Sequence, residues 1–506
     1  MTRDISSLPP KALKHIFYFL DVQNRLSASL VCKKWLQVAD CPKLLCDVKI
    51  QFSREINEAL KLFSRMTRRF QCLSFHKVVI RDPVVEFLLK YHNQFDNLSF
   101  TECKIDEGKF RPKMQGKILH FDNLKTLRVH NSNITFFFAP LRNVTELKLH
   151  MRSGLTDYVI CELSKYLFRL EKLTLGTNVK CKEVLGKRLY GTEETIETNP
   201  SHEILSFVII KRLMEKNRST LTHINFARLR LSPPDVLTLS KIKGLNLRSV
   251  SFPFYYSTSY AKEFCINQFN LASINLSRSM HITNDTVCDI CKCLPNLKEL
   301  ILCDSEIDWC IIEIFQLQNL VKLNLSSCFK ITYLSYVMAI SILKSFKLKY
   351  LYLEFAKISD QNLFELLQRN PNICCLNISG IRVSNETLNM ICQKLTLLQC
   401  LILESCTAIS DSGLTGELKN YSDSITPTPL SNLKYLKKLS LRGNYLITNR
   451  GCLKAIRFPE LKILFLKDCH GLILMMDFLM ELRIRNPCLH TFEKIVNEEN
   501  KLKYKF

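Results

Sequence analysis

The sequence has little glycine and tryptophan, and it contains no long apolar run. Its 506 residues include 13 glycines and 2 tryptophans. Scarce glycine argues against a phosphate-cradling glycine loop. The longest apolar runs, such as GLILMM at 471–476, are shorter than a membrane span, and the start lacks the apolar core of a secretion signal. We therefore expect a soluble chain without membrane contact or cofactor, located in the cytoplasm, the nucleus or both.

Acidic residues are also scarce, and the shortage is uneven along the chain. The 71 Lys and Arg residues outnumber the 47 Asp and Glu residues, which gives a net charge of +24. Residues 1–250 hold 42 basic against 24 acidic side chains, whereas residues 251–506 hold 29 against 23. A basic first half favours acidic partners, nucleic acid or anionic lipid; an ordinary solvated surface is the alternative.

No arrangement of residues in the sequence indicates catalysis or a metal site. Cys288, Cys291 and Cys293 lie close together, but no second Cys/His pair follows at a zinc-finger spacing. We interpret Cys288 and Cys291 as thiols that pack a helix against the core. The 22 cysteines stand in a long chain without a secretion signal, so we expect free thiols. The sequence therefore predicts a protein that is not an enzyme and holds no metal.

One phrase recurs through most of the chain: an aliphatic residue, two variable residues, an aliphatic, one variable residue and another aliphatic. Its spacing is mostly near 25 residues, as in LVKLNL at 320 and LKYLYL at 348. Such a period indicates a repeat protein in which each unit buries its apolar face against its neighbours. The sixteen starts are residues 45, 70, 95, 124, 144, 170, 221, 247, 271, 297, 320, 348, 373, 398, 436 and 461.

A second phrase follows ten or eleven residues after each start in several repeats. It has an aliphatic residue, then Ser or Thr, then Asp or Asn, and predicts helix N-caps at Thr283, Ser359, Ser410 and Thr448. Each unit is thus a short strand followed by a helix. Strands pair at about 4.8 Å whereas helices need about 8–10 Å, so stacking curves the chain with strands on the concave side.

In at least eight of the sixteen repeats a small residue occupies the strand-to-helix turn, eight positions after the start. We predict that they lie in a buried turn and satisfy a backbone carbonyl; Leu229 and Tyr255 depart from the pattern. The pattern resembles the cysteine-containing subclass of leucine-rich repeats. The resemblance implies an α/β fold, a right-handed leucine-rich-repeat solenoid (horseshoe) with a concave parallel β-sheet and outer helices. The small residues are Cys103, Cys328, Cys406, Cys469, Asn444, Ser132, Ser279 and Ser305.

The first 43 residues lie outside the repeat. Prolines at 9 and 10 suit a helix start, Asp21 suits a second N-cap, and a third helix follows from Cys32. Three such short helices bury too little surface to be stable alone, so they must pack on the repeats, on another protein, or on both.

Their sequence, Leu-Pro, then Leu, Ile-Phe and Leu, then Val-Cys-x-x-Trp, resembles the F-box motif. An F-box before cysteine-type repeats is similar to the layout of the F-box/leucine-rich-repeat family. In that family the F-box binds the Skp-type adaptor of a cullin–RING ubiquitin ligase, and the repeats recruit the substrate. The matching positions, which the resemblance assigns to adaptor binding, are Leu8, Pro9, Leu13, Ile16, Phe17, Leu20, Val31 and Trp35.

The resemblance implies a domain organisation and a function. We expect an F-box at 1–43, repeats at 44–490 with insertions near 176–205 and 414–432, and a C-terminal tail at 491–506. The implied role is the substrate-recognition subunit of an SCF (Skp–cullin–F-box) ligase, which leads a protein substrate to ubiquitination and degradation. The alternatives are a leucine-rich scaffold without a role in degradation, and a binder of inositol phosphate or nucleic acid. Basic residues without interleaved aromatics argue against nucleic acid.

Residues between the buried positions of each strand are expected to form the concave surface. The early repeats present mostly basic side chains there, and the later repeats present acidic and aromatic ones. Clustered aromatics on a polar surface are candidate anchors for a partner, and nearby carboxylates favour a basic segment. The basic early surface favours an acidic or phosphorylated segment instead. The predicted substrate-binding residues are Tyr350, Tyr352, Glu354, Phe355, Glu404 and Arg278.

Overall fold

The computed structural model places two compact units along the chain. Unit 1 comprises Met1–Leu231 with Thr238–Leu247, and unit 2 comprises Ser232–Leu237 with Arg248–Phe506. Each unit is described by itself. The structure describes residues 5, 8–53, 56–66, 68–105, 121–132, 141–151, 155–177, 200–229, 231–251, 258–279, 282–343, 347–417, 426–473, 475–489 and 491–492.

Unit 1 carries parallel strands that follow one another in chain order. Each pairs in register with the next, and only the β8–β9 ladder shifts, between Thr174 and Gly176. A separate two-stranded parallel sheet joins Val79–Ile80 (β3) to Lys104–Ile105 (β5), which the repeat pattern did not predict. The other strands are β1 Lys49–Phe52, β2 Cys72–His76, β4 Asn97–Thr101, β6 Thr126–His130, β7 Glu146–Met151, β8 Lys172–Thr177 and β9 His223–Arg228.

Unit 2 continues the same plan with shorter strands. Each pairs in parallel with the next, and the last, β19, lies in the predicted tail. All sixteen predicted starts lead into strands, which confirms the leucine-rich-repeat fold. The strands are β10 Ser249–Ser251, β11 Ser273–Asn275, β12 Glu299–Ile301, β13 Lys322–Asn324, β14 Tyr350–Tyr352, β15 Cys375–Asn377, β16 Cys400–Ile402, β17 Lys438–Ser440, β18 Ile463–Phe465 and β19 Thr491–Phe492.

Helices follow most strands and cover one face of the sheet in each unit. The aliphatic positions of each repeat are buried between strand and helix; Leu320, Leu323 and Leu325 are fully buried. The helices after the first 45 residues are Ile56–Arg65, Asp82–Tyr91, Asp157–Ser164, Phe207–Lys216, Pro233–Ser240, Thr258–Asn267, Asn284–Cys293, Ile311–Ile314, Tyr333–Ile342, Asp360–Gln368, Asn385–Lys394, Asp411–Thr415, Asn449–Ala455 and Met476–Arg485, with 3-10 turns at His92–Gln94 and Leu430–Asn432.

None of the helices in the described ranges has the length and apolar character needed to cross a membrane. The predicted insertions fall largely on residues 178–199 and 418–425, which lie outside the described residues, as does Tyr255.

The small residues at the strand-to-helix turns link neighbouring repeats. The Cys328 thiol donates to the carbonyl of Leu302 in the preceding repeat, with 3.0 Å between sulfur and oxygen. Cys103, Cys406 and Cys469 bond equivalent carbonyls at 2.9–3.4 Å, and the Asn444 amide does so at 2.7 Å. The predicted role is confirmed for these residues. The shorter serine differs, because Ser132 donates within its own repeat to the carbonyl of His130.

The Ser/Thr–Asp/Asn phrase does more than cap its own helix. Thr283 and Ser359 accept from Thr286 and Asn362 as predicted, whereas Ser410 and Thr448 stand at N-caps without such a bond. The Asx side chains reach the next repeat instead. They accept from the backbone N–H just before its helix, in the pairs Asn284–Asp308, Asp308–Thr332, Asp360–Ser384, Asn385–Ser410, Asp411–Thr448 and Asn449–Ile473.

In eleven repeats the residue before the turn position, seven residues after the repeat start, adopts a left-handed backbone. The sequence did not reveal this because most of these residues are not glycine. The conformation points the N–H at the next repeat; the N–H of Phe355 donates to the carbonyl of Ser379. It also turns the side chain outward. The residues are Lys77, Glu102, Asn131, Arg278, Asp304, Ser327, Phe355, Ser405 and Asp468, with Gly380 and Gly443 at the same place in their repeats.

Four helices form the first domain: α1 (Pro10–Tyr18), α2 (Val22–Ser29), α3 (Lys33–Ala39) and α4 (Pro42–Leu45). Asp21 caps α2 as predicted, accepting from the N–H of Asn24 at 2.8 Å. The helices enclose a small core of their own, and a salt bridge from Arg25 to Asp47 ties α2 to the segment before β1. The core residues are Leu13, Phe17, Ala28, Val38, Ala39 and Leu44.

Replacement of a turn cysteine tests the links between repeats. In Cys328→Ala the Leu302 carbonyl loses its buried donor and a small void remains, so we expect unfolding to become easier by about 1–3 kcal/mol. Urea unfolding of the full chain measures this change. Cys488→Ala, at an exposed cysteine of the same unit, should leave the midpoint unchanged. Equal effects of the two substitutions would contradict the proposed link.

Candidate functional site

The adaptor-binding residues predicted from the sequence separate into two groups in the structure. Leu13 and Phe17 lie in the core of the first domain, and Leu8, Leu20 and Trp35 pack against it from partly buried positions. The Phe17 and Trp35 rings meet edge to face with centroids 5.3 Å apart. Leu13 and Phe17 therefore hold the helices together, whereas Leu8, Leu20 and Trp35 pack on this core and keep part of their surface accessible.

The second group lies outside this core, on a surface that we call the apolar F-box surface. Pro9 is exposed, and so are Ile16 and Val31. Phe19 and Leu30 are 73% and 79% exposed, although both are large and apolar. The sequence had assigned Pro9, Ile16 and Val31 to adaptor binding, but it had not assigned Phe19 or Leu30 to it. The surface consists of Pro9, Ile16, Tyr18, Phe19, Val22, Leu26, Leu30 and Val31.

The geometry of α2 explains this surface. Val22, Leu26 and Leu30 are spaced by four residues, which places them along one side of a helix. The opposite side buries Arg25, and Ala28 next to it, against the domain core. Several large apolar side chains exposed on and beside two consecutive helices of one folded domain are typical of an interaction site.

The exposed face of the sheet in unit 2 carries the predicted aromatic residues. Tyr350 and Phe355 are 41% and 47% exposed, and Tyr352 is half-buried. Phe355 follows β14 in the left-handed conformation, and its ring lies over Gly380. A Cβ at Gly380 would approach the Phe355 ring to 2.2 Å, so glycine makes room for the ring. We call Tyr350, Tyr352, Glu354, Phe355 and Glu404 the aromatic–acidic surface.

The two carboxylates of this surface are held by neighbouring strands. The Asn377 amide donates to Glu354 at 3.2 Å, and the Ser440 hydroxyl donates to Glu404 at 2.6 Å. Both remain partly exposed and keep acceptor capacity toward solvent. Arg278 is exposed but follows β11, three strands before β14, or about 14 Å away at ordinary strand spacing. The structure therefore brings five of the six predicted residues together and leaves Arg278 apart.

Unit 1 presents a different surface on its sheet. Two arginines, two lysines and two histidines lie on the adjacent strands β6 to β9. Glu146 forms ion pairs with Arg128 and Lys148, with nitrogen–oxygen distances of 3.0 and 2.9 Å. The His130 and His150 rings meet edge to face with centroids 5.7 Å apart. This basic surface consists of Arg128, His130, Lys148, His150, Lys172 and Arg228.

The basic surface changes the acid–base behaviour of His150. Burial, followed by the positive charges of Arg228, His130 and Lys148, lowers the pKa of His150 to about 4. The ring fits closely against Gly176, where a Cβ would approach His150 Cδ2 to 2.5 Å. His150 is therefore neutral at physiological pH.

The cysteines singled out in the sequence lie on the helix Asn284–Cys293. Cys288 and Cys291 are buried there, and burial raises the pKa of Cys288 to about 11 and that of Cys291 further. Thiols of this kind pack and do not react. Within the described ranges, no group of three or more His, Cys, Asp or Glu residues is arranged to hold a metal ion.

Comparison with known proteins identifies the first domain. The F-box domain family matches residues 5–47. This range contains all four helices and the whole apolar F-box surface. An F-box implies binding to an SCF-type adaptor, and leucine-rich repeats imply binding to proteins. The chain thus has the domain arrangement of F-box/leucine-rich-repeat proteins.

Solved structures similar to the chain are distant. A leucine-rich-repeat protein of Leptospira interrogans is 17% identical with a TM-score of 0.38, and the match covers 90% of this chain and 98% of that one. The mouse RP105/MD-1 complex gives 15% identity and a TM-score of 0.41, covering 84% and 67%. Scores this low do not establish a shared fold, so the assignment of the repeats rests on their strand register. No curated protein matches the sequence.

The lowered pKa of His150 predicts an acid-sensitive step in stability. Between pH 6.5 and about 4 the unfolded chain takes up a proton that folded His150 does not, so stability falls as the pH drops through this window. His150→Gln should remove about 1 kcal/mol of that loss, a value discounted for the solvent around a half-buried ring. Urea unfolding at pH 7 and pH 5 measures it, with His76→Gln on β2 as the control. An unchanged pH dependence in His150→Gln would refute this assignment.

Proposed function

We propose that the chain is the substrate-recognition subunit of an SCF-type cullin–RING ubiquitin ligase. Its apolar F-box surface binds a Skp-type adaptor, and the exposed sheet face of unit 2 binds a client protein. The chain supplies no catalytic group in this proposal. It raises the local concentration of a client lysine near the ubiquitin carried by another enzyme of the complex.

The apolar F-box surface is the observation that carries the proposal. The first domain already encloses a core of its own, so the exposed residues of α1 and α2 are not needed to complete it. Exposed side chains as large as Phe19 and Leu30 are costly in water and gain stability when a partner covers them. A partner whose groove accepts a helix with apolar residues at i, i+4 and i+8 fits this surface.

The aromatic–acidic surface supports client binding by unit 2. Tyrosine and phenylalanine side chains are frequent anchors at protein interfaces because they bury a large area at a small entropic cost. The backbone of Tyr350 is fixed by β14, and the Phe355 ring lies over Gly380, so both residues are positioned on the sheet before a client binds. Glu354 and Glu404 beside them favour a client segment with lysine or arginine.

Substitution of one exposed leucine tests adaptor binding. Leu26→Asp places a charge at the centre of the apolar F-box surface, so we expect at least a tenfold loss of adaptor that co-purifies with the full chain. Leu62→Asp, at a similarly exposed leucine on the helix Ile56–Arg65, is the matched control and should retain the adaptor. Retention of the adaptor by Leu26→Asp would place the contact elsewhere.

Paired aromatic substitutions test the client surface. We expect Tyr350→Ala with Phe355→Ala to reduce client recovery about tenfold while adaptor recovery stays constant. Quantitative mass spectrometry of proteins captured by the full chain, with cullin activation inhibited, measures both. The matched control is Phe329→Ala with Tyr435→Ala, at exposed aromatics elsewhere in unit 2. Unchanged client recovery would overturn the role of this surface.

A further inference from the structure

Two cysteines face each other on the exposed side of the sheet in unit 2. Cys375 begins β15 and Cys400 begins β16, and the two are direct register partners. Side chains at paired positions of neighbouring parallel strands lie on the same face of the sheet, so the two thiols are neighbours, and the Cys375 thiol donates to the Tyr352 hydroxyl, 3.4 Å away. Both cysteines are partly exposed, unlike the buried turn cysteines. The pair is therefore reachable from solvent.

The spacing of the pair suits a covalent link. Adjacent parallel strands lie about 4.8 Å apart, and the Cα atoms of disulfide-bonded cysteines are usually about 4.4–6.8 Å apart. The pair thus needs rotation of two side chains and little movement of the backbone. Cys374, the sequence neighbour of Cys375, precedes the strand, and its thiol donates to the carbonyl of Asn372 instead.

The surroundings also favour a thiolate at Cys375. The hydrogen bond from Cys400 lowers the pKa of Cys375 to about 6, although burial opposes it; the Tyr352 hydroxyl and the charges of Lys438 and Lys322 add to the lowering. The same hydrogen bond and burial raise the pKa of Cys400. A thiolate beside a protonated thiol is the arrangement of a reactive cysteine with its resolving partner.

We propose that Cys375 and Cys400 are a peroxide-sensitive dithiol that closes to a disulfide between β15 and β16. The Cys375 thiolate attacks hydrogen peroxide; a sulfur–oxygen bond forms, the oxygen–oxygen bond breaks, and the hydroxide released takes a proton to become water. Cys400 then attacks the resulting sulfenic acid. The disulfide forms, and the sulfenic oxygen leaves as a second water with the Cys400 proton. Two thiols lose two electrons, and one peroxide is reduced to two waters.

Peptide mapping under non-reducing conditions tests the proposal on the full chain. In a Cys374→Ser background, which leaves Cys375 alone on its peptide, brief treatment with hydrogen peroxide should link Cys375 to Cys400, and dithiothreitol should reverse the link. The buried turn cysteines Cys328 and Cys406 should stay reduced. Absence of the linked peptide, or a link from Cys375 to another cysteine, would overturn the proposal.

A second variant separates the two chemical steps. In Cys374→Ser with Cys400→Ser, Cys375 lacks its partner, so a sulfenic acid should accumulate there and be trapped by dimedone. At pH 7 we also expect iodoacetamide to modify Cys375 of the unaltered chain at least tenfold faster than Cys374. Neither result depends on a client or on the adaptor, so both can fail while the proposed function stands. No dimedone adduct together with equal alkylation rates would refute the reactive thiolate.

Discussion

Hydrogen bonds between successive repeats at the strand-to-helix turn are the interaction on which the rest of the structure depends. At this turn the chain leaves the sheet, and part of its backbone bonds to the neighbouring repeats: the N–H of Ser327, for example, donates to the carbonyl of Glu354. Cys328 and its equivalents donate to the carbonyl of the repeat before, while Asp308 and its equivalents accept from the N–H of the repeat after. Because buried polar groups are costly when unpaired, these bonds fix the register of the stack. The exposed side chains of each strand then line up in rows, which is what creates extended surfaces.

The fold was largely predictable because its causes are local and repeated. The aliphatic spacing predicted every repeat strand from β1 to β18, apart from the small sheet of β3 and β5, and the turn cysteines received the correct role. The left-handed residues were missed because the usual signal, glycine, is present only at Gly380 and Gly443 among the described turns. Residues such as Phe355 adopt this conformation because the next repeat accepts their N–H, and that constraint is invisible within a single repeat. The hydrogen bond that Asp411 accepts from the next repeat could not be predicted for the same reason.

The candidate surfaces were less predictable than the fold. In helices of seven to nine residues every apolar side chain fits the same pattern, so Leu13 and Phe19 look alike in sequence although one is buried and the other exposed. Only packing decides which of them faces a partner. The pairing of Cys375 with Cys400 likewise needs the register of β15 with β16. Similarly, Arg278 shares its place in the repeat with Phe355 but lies three strands away, a distance that counting positions within a repeat does not give.

The two sets of turn bonds run in opposite directions along the chain. Each repeat of this kind therefore supplies a donor thiol to the repeat before it, and an acceptor carboxylate or amide oxygen to the repeat after it. When a tandem duplication copies one such repeat, the new junction contains both the thiol donor and the Asp or Asn acceptor. The hydrogen bonds between repeats can therefore form in the lengthened array. A chain assembled from these repeats can gain or lose whole repeats during evolution without a new set of contacts at the junction.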